Sequence, residues 1–326
     1  MGLIKNPAEV KFEPIMKCLI YGQPGIGKSS AAVSAPNPVL LDCDNGVHRM
    51  QPNHRPPFLP VKSYDDVLKV LNEEVAGFDS IVIDTAGKLL DYMAQWLISN
   101  NPKLGRKDGM LTLQGYGSRK YEFINLLKRV TTMGKHLIFV AHELEERNGD
   151  DRIIRPEVGG SSGADLIKEL DIVGYMEAIG RKRTISFSPS DKYYAKNSAR
   201  LPEIIDVPEL SDGQDNVFLV GIIEKWKAAL NAEGEQKQQY DELMDKLTSK
   251  IEKVENCEQA NRAIKGLAAT KHIWDSKKRS WNLLKLRSEK LDLIWDGKAK
   301  EFIEQPEQAP PEEEGPPPTE EEGVNW

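Results

Sequence analysis

The sequence predicts an α/β fold with a mostly parallel central sheet, followed by a small C-terminal helical region and a disordered acidic tail. Short apolar runs that suit buried strands alternate with segments whose apolar residues recur at helical spacing. After about residue 220 only helical spacing continues, and the last residues are rich in Pro and Glu. The expected boundaries are 1–225 for the α/β domain, 226–303 for the helical region and 304–326 for the tail.

The elements of the α/β domain follow from apolar spacing and capping residues. Apolar runs predict strands at 16–21, 38–44, 57–63, 78–85 and 135–143, and a hairpin over 171–180 and 183–188. Ser63 is placed to cap the helix that follows it. Ligands of such sheets lie at the carboxyl ends of the strands. One cleft can therefore collect four positions that end or follow predicted strands: Gly22, Asp44, Asp84 and His142.

Two stretches of this domain lack both helical and strand spacing. Residues 99–120 are Gly-rich and basic, whereas residues 144–163 are Gly-rich and carry both charges. Long irregular segments inside a compact domain are usually functional or mobile. We therefore expect both stretches to be functional loops.

Composition limits the classes of partner. The net charge of −7 comes from the tail, because 304–326 hold eight Glu and no Lys or Arg, and removing them leaves +1. No apolar run is long enough to cross a bilayer, so no membrane partner is expected. The three Cys are scattered without metal-ligand spacing, which favours reduced thiols and a cytoplasmic location.

The loop "GQPGIGKSS" is the most specific motif in the chain. It fits the pattern G-x-x-x-x-G-K-[ST] between a predicted strand and a predicted helix. Its glycines allow backbone N–H groups to converge on a phosphate, and the helix directs its positive end at the same anion. The residues expected to hold a nucleotide are Gly22, Gln23, Pro24, Gly25, Ile26, Gly27, Lys28, Ser29 and Ser30.

Three side chains complete the predicted phosphate chemistry. Lys28 supplies a cation for the β- and γ-phosphate oxygens, and Ser29 offers its hydroxyl to Mg²⁺. Asp84 ends the strand "IVID" and is the expected second metal carboxylate. Hydrolysis also needs a group that activates water, for which Asp44 is the first candidate and Glu143 the second. Either acid could instead be a solvated loop carboxylate.

The first 210 residues or so resemble the RecA-like P-loop NTPase core. More narrowly, they resemble phage-encoded nucleotide-binding proteins of AAA type, which include RecA-like single-strand annealing proteins. The resemblance is carried, in this order, by "GQPGIGKSS", "LLDCDNG", "FDSIVIDTAG", "HLIFVAHE", "VGGSSGADLIKELDIVGYMEA" and "AKNSARLP". It implies an ATPase that uses ATP and Mg²⁺, acts on single-stranded DNA, forms homo-oligomers and works in a host cytoplasm.

The resemblance also implies roles for single residues. Asp44 matches the catalytic carboxylate, where such enzymes usually carry Glu. His142 matches a polar sensor of the γ-phosphate, although a structural His at a strand end would fit the sequence equally well. Lys196 matches a cation offered to the nucleotide of a neighbouring subunit, and Arg200 is a weaker candidate for that role. The resemblance does not extend to residues 226–326.

Candidate DNA contacts lie in the two loops and in the helical region. The implied DNA-contacting loops are 99–118 and 145–162, and 265–290 form a further basic segment in which Trp274 and Trp281 are interleaved with cations. The helical spacing favours the alternative that these Trp residues are core residues of a helix pair with a solvated basic face. The candidate cations are Lys103, Arg106, Lys107, Arg119, Arg152, Arg155, Lys277, Lys278 and Arg279.

Other functions remain open from the sequence. The chain could be an ATP-switched loader or scaffold for a helicase or a single-strand binding protein, held through the helical region and the acidic tail. It could also be a P-loop phosphotransferase, although no compact Arg-rich lid is evident. The tail could dock a single-strand binding protein, occupy the basic segment of its own chain until DNA displaces it, or simply keep the chain in solution.

Overall fold

The computed structural model describes residues 11–148, 151–159, 167–180, 182–210 and 214–305. These residues form two compact units, one spanning 11–231 and the other beginning at Ala232. Of the predicted acidic tail, only Glu304 and Gln305 belong to the described residues, and the remainder lies outside them.

The first unit is built on a ten-stranded sheet. Its main path runs β10-β8-β7-β1-β5-β4-β2-β3, while β6 pairs with β5 and β9 pairs with β7. Strands β7, β1, β5, β4, β2 and β3 are parallel, and β8 and β10 add an antiparallel edge. This confirms the predicted fold class. The strands are β1 Lys17–Gly22, β2 Pro38–Asp42, β3 Phe58–Pro60, β4 Ser80–Asp84, β5 His136–Asn148, β6 Asp151–Pro156, β7 Ile172–Ile179, β8 Lys182–Ser186, β9 Lys196–Asn197 and β10 Ile204–Val207.

Helices cover both faces of this sheet. They are α1 Lys28–Ala32, α2 Tyr64–Glu73, α3 Ala86–Asn100, α4 Leu113–Thr132 and α5 Phe218–Glu252, the last of which begins in this unit. Ser63 caps α2 as predicted, since its hydroxyl accepts the Asp66 amide and the Asp66 carboxylate accepts the Ser63 amide. One core joins α2, α3 and α4 to the sheet, and a second joins α1 and the start of α5 to the other face.

Both predicted loops are shorter than expected. Residues 113–120 form the first turns of α4. Their glycines suggested a loop, but a Cβ at Gly115 would lie 2.6 Å from the Leu104 carbonyl oxygen, so close packing explains this glycine. Residues 144–148 and 151–156 extend β5 and form β6 as an antiparallel hairpin. Cross-strand ion pairs between opposite charges account for the mixed charge of this stretch.

The second unit contains the rest of α5, α6 Cys257–Ala269, α7 Ser276–Glu289 and a small hairpin of β11 Leu293–Asp296 and β12 Glu301–Glu304. The expectation that no strand follows the α/β domain is therefore wrong. Each strand has only four residues, too few for a recognisable alternation. Trp281 and Trp295 are partly buried, and they pack edge to face at 4.8 Å against the core of this unit.

No helix within the described ranges is both long enough and apolar enough to span a membrane.

Candidate functional site

The glycine-rich loop joins the buried end of β1 to α1. A Cβ at Gly22 would lie 2.1 Å from the Met176 carbonyl oxygen of the neighbouring strand, which excludes any other residue without a backbone shift. Gly25 and Gly27 have φ angles of 80° and 95°, in the left-handed region that glycine adopts without steric cost. The loop therefore has the close strand contact and left-handed turns that the sequence pattern implies.

Lys28 lies buried beneath the loop, with 5% of its surface exposed. Its ammonium group donates to the carbonyl oxygens of Gly22 at 2.9 Å and Gln23 at 2.6 Å. Burial lowers the pKa of Lys28, while the carboxylates of Asp84 and Glu143 act in the opposite direction. The ammonium is therefore held at the loop by carbonyl groups that a phosphate can replace.

Ser29 and Asp84 meet at the end of β4, as the motif predicts. The Ser29 hydroxyl donates to Asp84 Oδ2 at 2.5 Å. Burial raises the pKa of Asp84, and the nearby carboxylates of Asp42 and Asp44 raise it further, against the lowering effects of Ser29 and Lys28. A buried carboxyl with a raised pKa gains most from a cation, so this pair suits a divalent ion.

Asp44 is held beside the loop by a turn that the sequence analysis did not identify. The carboxylate of buried Asp42 accepts the backbone amides of Gly46 at 2.8 Å and Val47 at 2.9 Å, which fixes the turn after β2. Asp44 stands on this turn and forms an ion pair of 3.4 Å with Arg49. The signal was present in "DCDNG", since Asp before Asn-Gly is typical of a tight turn.

The predicted residues line one cavity of about 170 Å³. Its walls include Lys28, Ser29, Asp44, Asp84 and His142. The structure thus brings together Asp44, Asp84 and His142 of the four positions that sequence analysis placed at strand ends, whereas Gly22 is not part of the cavity wall. Glu143, the second candidate for activating water, does not line this cavity.

His142 and Glu143 are consecutive in β5 and therefore lie on opposite faces of the sheet. His142 Nδ1 has no hydrogen-bond partner among the residues that the structure describes. Glu143 lies with the tyrosines of the other face, where burial and then the Glu143 charge raise the pKa of Tyr175 to about 12. The geometry consequently favours Asp44 over Glu143 as the acid that faces the γ-phosphate.

Arg183 is a residue beside the loop that the sequence analysis missed. It lies on β8, and a Cβ at Gly27 would approach its side chain at 4.0 Å. Arg183 and Gly27 line a second cavity of about 230 Å³, whose walls also include Ser30 and Met50 of the first cavity. The sequence motifs do not identify Arg183, because its position beside the loop depends on the pairing of β8 with β7.

A third cavity, of about 360 Å³, shares Asp44, Thr85 and His142 with the first. Lys88 and Arg119 also line it. Arg119 is 5% exposed and donates to the Gly159 carbonyl oxygen at 3.0 Å, so it does not stand on an open surface as a DNA contact would require. The prediction that Arg119 is an exposed loop cation is therefore wrong, because residue 119 belongs to α4 and its side chain packs inward.

The other candidate cations of the first unit are exposed, except Arg155, which is half-buried. Lys103, Arg106 and Lys107 lie between α3 and α4, where Arg106 forms an ion pair with Asp108 at 3.4 Å. On the β5–β6 hairpin, Arg152 pairs with Glu145 at 2.7 Å and Arg155 pairs with Glu146 at 2.9 Å. The hairpin cations are thus already balanced by acids, which weakens the case that they attract DNA.

Lys196 lies away from the nucleotide loop of its own chain. It pairs with Val173 at the start of β7, whereas the loop begins beside Met176 three residues farther along. Its ammonium donates to the carbonyl oxygens of Lys168 at 2.7 Å and Leu170 at 2.5 Å. These contacts within the chain would have to break before Lys196 could reach a neighbouring nucleotide.

Comparison with known proteins agrees with this geometry. A family model described as an AAA domain matches residues 15–199, which include the loop, Asp44, Asp84 and His142. No curated protein matches the chain. The matched segment covers more than half of the sequence, and the chain therefore belongs to the AAA-domain family of nucleotide-binding ATPases.

Proposed function

We propose that the protein is a Mg²⁺-dependent ATPase that acts on single-stranded DNA in phage-type recombination, annealing or replication. The observation that carries the hydrolytic part is the joint placement of Lys28, the Ser29–Asp84 pair and Asp44 around one cavity. These are the cation, the metal-side oxygens and the general base that phosphoryl transfer to water requires.

The site fits a magnesium nucleotide. Ser29 Oγ and Asp84 Oδ2 offer two oxygen ligands, the ligand type that Mg²⁺ prefers. Within the described ranges no cluster of three or more His, Cys, Asp or Glu could hold a metal by protein groups alone. This agrees with an ion held by one hydroxyl, one carboxylate, phosphate oxygens and water. When bound, Mg²⁺ would neutralise the negative charge of the phosphates.

The residues of the chain then have distinct tasks. Lys28 exchanges its two carbonyl partners for phosphate oxygens, and the backbone N–H groups of the loop hold the β-phosphate. Asp44 accepts a proton from the water that attacks the γ-phosphorus, and the bond to the ADP oxygen breaks. His142 donates to a γ-phosphate oxygen through its unpartnered Nδ1.

The DNA part of the proposal is supported by strand β5. The strand carries His142 next to Gly22 of β1 and continues without a break to Asn148 in the hairpin. A change at the γ-phosphate can therefore reach the exposed hairpin through one strand. Lys103 and Lys107, exposed between α3 and α4, supply cations on the same unit.

The test is the ATPase rate of the full chain with and without single-stranded DNA. We expect stimulation by DNA, and loss of both basal and stimulated rates in Lys28→Ala, with exposed Lys62→Ala as the matched control. A DNA-independent rate that still requires Lys28 would contradict the DNA part alone. Hydrolysis that survives in Lys28→Ala would contradict the assignment of the site.

The third cavity favours a second candidate function, that of a phosphotransferase. It adjoins the first through Asp44 and His142 and is lined by Lys88 and Arg119, so an acceptor could bind beside the γ-phosphate. A coupled assay of ADP formation across nucleosides, nucleotides and small phosphorylated acceptors tests this. Acceptor-dependent ADP formation would favour transfer over hydrolysis.

A further inference from the structure

Trp274 differs from the other described tryptophans of the second unit. Trp281 and Trp295 are partly buried and pack against each other and the core, whereas Trp274 is 57% exposed. Its φ angle is 48°, in the left-handed region that bulky side chains rarely adopt. An exposed indole on a turn that costs conformational energy indicates that the turn is held by its neighbours.

The neighbours of Trp274 fix this turn. His272 bonds the Leu267 carbonyl oxygen through Nε2 at 2.8 Å and the Ser276 hydroxyl through Nδ1 at 3.0 Å. Because a carbonyl only accepts, Nε2 carries a proton and donates to it. The Ser276 hydroxyl accepts the Ile273 amide at 3.0 Å. The turn is thus tied on both sides of the exposed indole.

Tyr240 supports one side of the indole. Its ring lies 5.2 Å from that of Trp274 with an angle of 38° between the planes. Its hydroxyl donates to Asp275 Oδ1 at 2.7 Å and accepts from Arg279 at 3.2 Å. Asp275 is therefore engaged by Tyr240, and the aromatic pair is fixed before any ligand arrives.

Three cations follow Trp274 closely in the sequence. Lys277, Lys278 and Arg279 are all exposed in the first turn of α7. In the part of the chain that the structure describes, Lys277 and Lys278 have neither an ion pair nor a side-chain hydrogen bond. Asp275, at the N-cap of α7, makes no side-chain capping bond, so its carboxylate does not satisfy the free backbone amides at the start of this helix.

We propose that Trp274, Lys277 and Lys278 form a binding platform for single-stranded nucleic acid. A base stacks on the free face of the indole, and the flanking phosphates contact the two lysines and the first turn of α7. The inference rests on the proposed action on single-stranded DNA, and it names where the second unit holds that partner. Binding at this platform needs no nucleotide hydrolysis.

The test measures anisotropy of labelled oligothymidine with the full chain, without nucleotide, over a range of salt concentrations. We expect Trp274→Ala to weaken binding about 5- to 150-fold, the range for one base stack, and Trp274→Phe to retain most of the affinity. Lys277→Ala/Lys278→Ala should reduce the salt slope by about 1.4, since each phosphate contact on a single strand contributes about 0.7. Lys246→Ala/Lys253→Ala, two exposed lysines elsewhere in the unit, should leave the slope unchanged.

The outcomes separate this inference from the proposed ATPase. Wild-type affinity in Trp274→Ala, with unchanged circular dichroism, would overturn the platform. Tighter binding of duplex than of single strands would also overturn it, because a paired base cannot stack on the indole. Comparable binding of oligouridine would support the platform and show that it does not select the sugar. Weakened DNA binding in Trp274→Ala together with a rate that ignores DNA would support the platform and contradict only the coupling to hydrolysis.

Discussion

Ser29 and Asp84 are joined by a hydrogen bond of 2.5 Å across 55 residues of sequence. The bond links the start of α1 to the end of β4, so it fixes the position of the glycine-rich loop relative to the central strands of the sheet. The two oxygens that would hold Mg²⁺ are thereby placed together before the metal binds. Such preorganisation reduces the ordering that nucleotide binding requires.

Replacement of Asp84 should have opposite effects on the free and the nucleotide-bound protein. Because the folded pKa of Asp84 is raised, the stability from its bound proton is complete below about pH 3.8 and is lost as pH rises through the folded pKa. Asp84→Asn should remove this loss, so without nucleotide it should be at least as stable as wild type at pH 8. The Asp84→Asn protein should also lose the stabilisation by bound Mg²⁺-ATP, which is about 2.7 kcal/mol at a nucleotide concentration of 100 times Kd.

Thermal unfolding of both proteins at pH 5 and pH 8, with and without Mg²⁺-ATP, checks this. A mutant that is much less stable than wild type at pH 8 would contradict the predicted cost of the buried carboxylate. A mutant that keeps the full shift with Mg²⁺-ATP would contradict the metal assignment.

Asp44 and Glu143 should be separable by kinetics. Asp44 lines the cavity and Glu143 faces Tyr175, so Asp44→Asn should lower kcat for ATP hydrolysis by about 10²- to 10⁴-fold with little change in nucleotide affinity. Glu143→Gln should have the smaller effect on kcat. Steady-state rates and binding of a fluorescent ATP analogue measure the two quantities. The reverse order of effects would transfer the role of general base to Glu143.

Gly22 and Gly25 form a matched pair for testing the loop geometry. Gly22→Ala places a methyl group against the Met176 carbonyl and should lower the free energy of unfolding by about 2–4 kcal/mol. A Cβ at Gly25 meets nothing within 4 Å, so Gly25→Ala should lose only about 1–2 kcal/mol from its left-handed backbone. Urea unfolding measures both, and equal losses would argue against the close strand contact at Gly22.

Arg183 should contribute to nucleotide binding. It is half-buried beside Gly27, and no ion pair or side-chain hydrogen bond engages it within the described ranges. We expect Arg183→Ala to weaken ATP binding about 10-fold, as loss of one charge-assisted hydrogen bond does, without a change in stability. Lys182→Ala is the control, because the neighbouring Lys182 is exposed and paired with Asp206. Equal affinities of both variants would exclude a contact from Arg183.

The parts of the site that the sequence predicted are those specified by local pattern. The loop from Gly22 to Ser30 and the strand before Asp84 each combine a motif with an apolar run, and both lie where expected. Arg183 was missed because only the pairing of β8 brings it to the loop. The prediction of a loop over residues 113–120 is wrong because sequence alone does not distinguish a glycine that allows tight packing, such as Gly115, from one that allows a turn.

The continuous β5 has a mechanical consequence. A strand rises about 3.3 Å per residue, so Arg147 stands roughly 17 Å beyond His142 along the same rod. The rod is braced, since β6 pairs along it and Ile154 exchanges hydrogen bonds with the Lys192 and Tyr194 backbones. A force applied to the hairpin is therefore transmitted along β5 to His142, on the γ-phosphate side, with little bending of the strand.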